Sequence, residues 1–165
     1  KGIKANLILN KPNSTDIIYV GSPYYLLKKV KKDKKFFKIL NYLKKNLIYE
    51  NFIFCPHPME TNKSFLKKIK SLGIIISNKS PYQLSTYAKL ILGDYSSFLF
   101  ESSVNNIPTV QIEEMIIDKG NIKINEINSM KYTEINDTNY FKQNKNKNIQ
   151  RILETKKIID FFRKK

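Results

Sequence analysis

Short apolar runs alternate with amphipathic stretches over the first two thirds of the chain. Five runs have the length and the β-branched or aromatic content of strands: Asp16–Val20, Asn51–Cys55, 73–76, 89–92 and Thr109–Ile112. Four stretches between them predict helices: Asp33–Asn46, 63–72, 81–87 and 97–105. Because parallel strands need crossover connections, this alternation predicts an α/β fold, a Rossmann-like parallel sheet with helices on both faces.

Local signals support the limits of these helices. Phe36 and Leu40 are one helical turn apart, with lysines on the opposite side of the same helix. Ser80 and Pro81 form a helix start, with a capping hydroxyl and a proline at the first position. Gly73 is a plausible helix stop.

Composition divides the chain into a lead-in (1–16), a nucleotide-binding domain (17–147) and a C-terminal amphipathic helix (148–165). Within the middle part, residues 118–147 are polar and rich in asparagine, which predicts a surface loop with one helical turn. The last helix places its apolar residues on one side: Ile152, Leu153, Ile159 and Phe162.

The length of 165 residues and the hydrophobic content of 41% are sufficient for a buried core. Cys55, the single cysteine, lies in an apolar run. It excludes a disulfide framework and a multi-cysteine zinc site, and it indicates a reducing compartment such as the cytoplasm. No run reaches the roughly 18 apolar residues of a membrane span, and residues 1–11 lack the apolar centre of a signal peptide. Because the first residue is a lysine, we expect a piece of a longer protein.

The formal net charge of +16 favours polyanionic partners: nucleic acid, an acidic membrane surface or phosphorylated substrates. A general bias toward lysine, asparagine and isoleucine explains part of it, and the lysine run 28–35 is typical of a solvated face. Arginine reads base edges, and only Arg151 and Arg163 are present, so no specific nucleic-acid partner is expected. Phe161 and Phe162, with a basic rim, could make peripheral contact with the inner face of the plasma membrane or pack against a domain.

His57 is the only histidine, and it follows the second predicted strand. Any imidazole chemistry near neutral pH must therefore use this residue. Pro56 and Pro58 restrict the backbone on both sides, which would fix the direction of the ring. A histidine with a purely structural role is the alternative. We predict that His57 is catalytic and assists the departure of a phosphate group.

Ser96 and Ser97 follow the fourth predicted strand and begin the next helix. A serine at this position, together with free amides and the helix dipole, can hold a phosphate oxygen, although an ordinary cap is the alternative. Since parallel strands end at one edge of a sheet, we expect these serines and His57 to meet there.

Three further residues are candidates for the same site. Gly21 and Ser22 form a turn after the first strand, where glycine lets the backbone approach a ligand, although such turns are common. Glu101, one turn into its helix, could accept from ribose hydroxyls or could be solvated. The chain has no dinucleotide fingerprint, Walker loop or histidine cluster, so neither a metal nor a cofactor is expected.

The string PHPME at 56–60, followed 39 residues after the histidine by SS at 96–97, resembles the HP and SS motifs of bacterial sialyltransferases and polysialyltransferases. IYVGSP at 18–23 resembles the segment that opens their C-terminal domain, the donor-binding half of a GT-B fold. The resemblance implies transfer of sialic acid from CMP-sialic acid without a metal. It also implies that His57, Ser96 and Ser97 hold the CMP phosphate, with Pro58 among the donor contacts.

Two features depart from that family. Its general base lies in an N-terminal domain that nothing upstream of Ile17 matches, so we expect this chain to bind donor without turnover. Met59 stands where arginine is common in sialyltransferases. DYSSFLFE at 94–101 and PTV at 108–110 also resemble teichoic-acid polymerases that use CDP-glycerol, which is the alternative donor.

The prediction is thus a donor-nucleotide-binding domain of a glycosyltransferase that builds bacterial surface glycans such as capsule or lipooligosaccharide. Its expected partners are the activated donor, a glycan or glycolipid acceptor and an N-terminal domain. An alternative function of a different class is that of a basic module, which binds nucleic acid or anionic lipid without catalysis.

Overall fold

The computed structural model of the protein describes residues 16–47, 51–94, 96–105, 107–116 and 127–135. Six strands are present in these residues: β1 (Asp16–Val20), β2 (Asn51–Cys55), β3 (Ile75–Ile76), β4 (Ala88–Gly93), β5 (Thr109–Ile112) and β6 (Asn128–Met130). They are accompanied by five α-helices: α1 (Tyr24–Lys29), α2 (Asp33–Asn46), α3 (Lys63–Ser71), α4 (Pro81–Ser85) and α5 (Ser97–Val104). The predicted C-terminal helix 148–165 and nearly all of the lead-in 1–16 lie outside the described residues.

The strands form one sheet in the order β3-β2-β1-β4-β5-β6, and every pair is parallel. The order reverses between β1 and β4, as in doubly wound nucleotide-binding folds. The structure therefore confirms the predicted α/β class and the Rossmann-like sheet.

Helices cover both faces of this sheet. Alternate residues of a strand face opposite sides, so Ile17 and Tyr19 pack with α1, α2 and α3, whereas Ile18 and Val20 pack with α4 and α5. The first face is the larger core and is rich in aromatic residues, with Tyr19 in edge contact with Phe36 at 5.8 Å between ring centroids. Burial on both faces explains why the buried part of β1, residues 17–20, is a continuous run of apolar and aromatic residues.

Two elements differ from the sequence prediction. Helix α1 was not predicted, because its six residues are too short to show a helical period; Leu27 buries it against the core. Strand β6 lies where a surface loop was predicted, so that prediction was wrong at Asn128–Met130. Its polar sequence has no strand signature, and pairing with the edge of β5 makes it a strand.

The predicted helix ends shift by one or two residues. The structure ends α3 at Ser71 and α4 at Ser85, and Asn105 caps α5. Gly73 has a φ of 73°, the left-handed conformation that favours glycine after a helix, as predicted. The predicted strand 73–76 is reduced to the two residues of β3.

Candidate functional site at the carboxyl ends of the strands

Three loops leave the carboxyl ends of adjacent strands β2, β1 and β4. Val20 is opposite Cys55 on one side and Gly93 on the other, so the three strands end at the same level. The loops that follow carry His57, Gly21 with Ser22, and Ser96 with Ser97. The structure thus brings these predicted residues to the edge of the sheet where the strand order reverses.

The loop after β1, which carries Gly21 and Ser22, is called the first loop. Hydrogen bonds join it to the loops after β2 and β4. The amide of Gly21 donates to the carbonyl of Cys55 at 3.2 Å, beside the histidine loop. The amide of Ser22 donates to the carboxylate of Asp94 at 3.3 Å, beside the serine pair. The three loops are therefore one connected substructure.

Gly21 has a steric reason to be glycine. A Cβ atom at this position would lie 2.5 Å from two ring atoms of Phe54, closer than packed carbon atoms approach each other. Phe54 is fully buried on the adjacent strand β2, so its ring has little room to move. The first loop therefore lies directly over the core at a distance that only glycine permits.

The His57 ring is half-buried and is held by its own loop. The amide of Met59 donates to His57 Nδ1 at 3.1 Å. A ring nitrogen that accepts a hydrogen bond carries no proton, so the neutral imidazole carries its proton on Nε2. Nε2 is then the atom that can donate to a ligand. Pro58 and Met59 beside it are exposed.

Glu60 connects the histidine loop to α1. Its carboxylate accepts from the amide of Tyr24 at 2.6 Å and from the amide of Asn62 at 2.7 Å. Asn62 itself caps α3, since its side chain accepts from the amide of Phe65 at 2.9 Å. Glu60 therefore fixes the loop that carries His57, and helix α3 has a different cap.

Ser96 is the N-cap of α5. Its hydroxyl oxygen accepts from the amide of Phe98 at 3.2 Å, in an extended backbone conformation. Ser96 therefore caps the helix, which was the alternative interpretation of this residue. The exposed Ser97 occupies the first helical position, where backbone amides and the positive end of the helix dipole favour an anion.

Glu101 is engaged by a neighbouring helix. The hydroxyl of Tyr82, in α4, donates to its carboxylate, and the ring of Tyr82 is in edge contact with Phe98 at 4.9 Å. This hydrogen bond raises the pKa of Tyr82. One carboxylate oxygen of Glu101 is thus engaged by Tyr82, and its contact with ribose and the solvated alternative both stay predictions.

Sequence reasoning missed the buried polar residues beneath the loops. Asp94 is 2% exposed, and its carbonyl accepts from the side-chain amide of Gln111 at 2.9 Å. Burial raises the pKa of Tyr19 well above its usual value, and the charges of Asp94 and Glu114 add to the rise. A signal was present, because Asp94 comes two residues after the apolar run 90–92 and Gln111 lies between the apolar residues Val110 and Ile112.

Other chemistry has little support in the described part of the chain. Cys55 is buried, as predicted, and burial raises the pKa of its thiol to about 11, so it is not a thiolate near neutral pH. Within the described ranges, no group of histidine, cysteine, aspartate or glutamate residues could hold a metal ion. The same ranges contain no helix long and apolar enough to span a bilayer.

The sequence matches no protein-family model and no curated protein. Two solved structures of the wall teichoic acid polymerase TagF, both of a histidine-to-asparagine variant with CDPG, share the fold. One aligns with 92% of this chain and 41% of its own, at a TM-score of 0.51 and 14% identity. The other aligns with 92% and 40%, at a TM-score of 0.52 and 17% identity.

This chain spans about two fifths of the length of those polymerases. At this level of identity the similarity shows the fold, a Rossmann-like domain of the GT-B type. The sialyltransferase resemblance is not confirmed, and the neighbours correspond to the alternative resemblance, that to teichoic-acid polymerases.

Proposed function

We propose that the chain is the donor-nucleotide-binding domain of a GT-B transferase that uses a cytidine-activated donor. One observation carries the proposal: three hydrogen-bonded loops at the reversal of the strand order carry the single histidine, a glycine turn and a serine-capped helix start. Open α/β sheets bind nucleotides at this position.

CDP-glycerol is the donor we favour, and CMP-sialic acid is the second candidate. The fold neighbours contain CDPG, the abbreviation of CDP-glycerol, whereas the HP and SS strings support the sialyl donor.

Each loop has a role in this proposal. His57 Nε2 donates a hydrogen bond to the departing CMP phosphate, and the amide of Ser97 with the positive end of the α5 dipole stabilises its charge, while the Phe98 amide stays bonded to Ser96. The backbone of Gly21 and Ser22 approaches the other phosphate. Glu101 accepts from the ribose hydroxyls, sharing its carboxylate with Tyr82.

The remaining parts of the reaction lie outside the described site. An acceptor supplies the nucleophile, and a further domain supplies the general base, as the resemblance to sialyltransferases implies. We place the reaction in the cytoplasm, where cytidine-activated donors are made. The site residues need neither a metal nor a further cofactor in this scheme.

Titration calorimetry with two substitutions of His57 tests the proposal. In His57→Asn, the amide oxygen can still accept from Met59 while the Nε2 donor is lost. In His57→Gln, an amide nitrogen takes the place of Nε2. Loss of one charge-assisted hydrogen bond should weaken CDP-glycerol binding about tenfold or more in the first variant, and less in the second.

Binding of five ligands separates the candidates. Tight CDP-glycerol and CDP binding with weak CMP and UDP binding supports the favoured donor, whereas preference for CMP-sialic acid supports the second. Equal binding of all nucleotides, unchanged by His57→Asn and abolished by salt, would point to a basic module without a nucleotide site.

A further inference from the structure

Lysine is distributed unevenly along the chain. Residues 28–70 contain thirteen lysines and three acidic residues, whereas residues 80–116 contain one lysine and four acidic residues. A general compositional bias would enrich both segments alike. Among the described helices, lysine is therefore concentrated in α1, α2 and α3.

The fold turns this clustering into one basic face. Helices α1, α2 and α3 all cover the same side of the sheet. Eleven lysines on these helices and the α1–α2 turn are exposed: Lys28, Lys29, Lys31, Lys34, Lys35, Lys38, Lys45, Lys63, Lys67, Lys68 and Lys70. The only acidic residue within the three helices is Asp33. We call this side of the domain the basic face.

The opposite side of the sheet has a different character. Helices α4 and α5 contain no lysine or arginine, and Glu101 is their single charged residue. They also carry exposed aromatic residues, Tyr82 and Phe100. The described part of the domain is thus polarised across the sheet, with nearly all of its surplus positive charge on one side.

Three properties of the basic face indicate its partner. The lysines are spread over three helices packed on one sheet rather than along a single groove, which suits a broad anionic surface. They are all lysine, a point charge without the bidentate geometry that recognises individual groups or bases. The basic face exposes one large aromatic side chain, Tyr25 of α1, and none in α2 or α3, so it offers bases a single stacking position and requires no insertion into hydrocarbon.

We propose that the basic face docks electrostatically on an anionic phospholipid bilayer. Each lysine near such a surface contributes to binding, and several together hold a protein at the membrane. The sheet would then lie parallel to the bilayer with one helix layer between them. The edge that carries His57 would face sideways, within reach of an acceptor anchored in the membrane.

Vesicle co-sedimentation of the full chain tests this surface. The chain should bind vesicles of phosphatidylcholine with one third phosphatidylglycerol, and should not bind pure phosphatidylcholine vesicles. Raising the salt from about 0.1 M to about 1 M should release it, because the Debye length falls from about 10 Å to about 3 Å.

Matched charge reversals locate the binding. Lys38→Glu changes an exposed lysine in the middle of α2, and Lys79→Glu makes the same change in net charge away from the basic face, between β3 and α4. Lys38→Glu should lower the partition coefficient at least fivefold, and Lys79→Glu less than twofold.

Equal loss in the two variants would overturn the proposal, as would binding to neutral vesicles or no binding at low salt. Displacement of the chain from vesicles by a short single-stranded DNA at equal phosphate concentration would also overturn it, in favour of nucleic acid. None of these results depends on the nucleotide site, so calorimetry with His57→Asn can fail or succeed independently.

Discussion

Single residues at the strand ends show how the core constrains the candidate site. Gly21 lies against the buried ring of Phe54, and Asp94 holds the amide of Ser22 from below. Both residues can affect ligand binding without contacting the ligand, because each fixes the backbone conformation of the first loop. The shape of the first loop therefore depends on the packing of β2 and β4.

Gly21→Ala should destabilise the domain and weaken donor binding. The added methyl group must displace the Phe54 ring or the loop, at a cost of about 1–3 kcal/mol in the free energy of unfolding. Urea denaturation measures the stability and calorimetry the affinity.

Phe54→Leu tests whether the clash with the Phe54 ring causes the effect of Gly21→Ala. Phe54→Leu alone should destabilise by leaving a cavity, but combined with Gly21→Ala it should restore part of the loss by making room. If the losses in the free energy of unfolding caused by the two substitutions were strictly additive, the steric explanation would be contradicted.

Among the residues, those that follow a strand directly were the predictable ones. His57 and Ser96 follow the ends of β2 and β4 within three residues, and parallel strands end together, so their placement at one edge of the sheet followed from the pattern. The hydrogen bond from Tyr82 to Glu101 did not, because it joins two helices whose relative placement no local pattern encodes. The support from Asp94 depends likewise on the loop after β1 folding back toward β4.

At the scale of elements, long periodic segments were predicted well and short ones poorly. Helix α2 has the predicted limits, because fourteen residues show the helical period clearly. Helix α1 and strand β6 are held by packing and pairing instead. Their six and three residues carry too little pattern to reveal them.

The start of α5 allows the capping and binding roles of serine to be separated. Ser96→Ala removes the cap, and it should lower the free energy of unfolding by about 0.5–2 kcal/mol. Ser97→Ala leaves the cap intact, so it should change stability little while weakening CDP-glycerol binding if its hydroxyl contacts phosphate. Thermal denaturation and calorimetry measure the two effects.

The opposite pattern would contradict this division. If Ser97→Ala destabilises the domain as much as Ser96→Ala and leaves affinity unchanged, the serine pair has only a structural role in starting α5. A Ser96→Asp variant is the control, because aspartate caps helices well and should retain stability while repelling an anionic ligand.

At the scale of the whole molecule, the order of the strands and the distribution of charge suggest two separate surfaces. The reversal between β1 and β4 creates the candidate nucleotide site at one edge. The basic face lies on one side of the sheet, at right angles to that edge. The fold class was predictable from the alternation of strand and helix patterns along the chain. The uneven distribution of charge across the sheet was not, because it depends on which helices share a face.

Backbone amide chemical shifts during a CDP titration test the central claim most directly. If the three loops form one nucleotide site, the largest changes will fall together on Gly21, Ser22, His57, Ser97 and Phe98, and the exposed lysines of α2 and α3 will change little. Changes concentrated on the basic face, or absent from the histidine loop, would contradict the account.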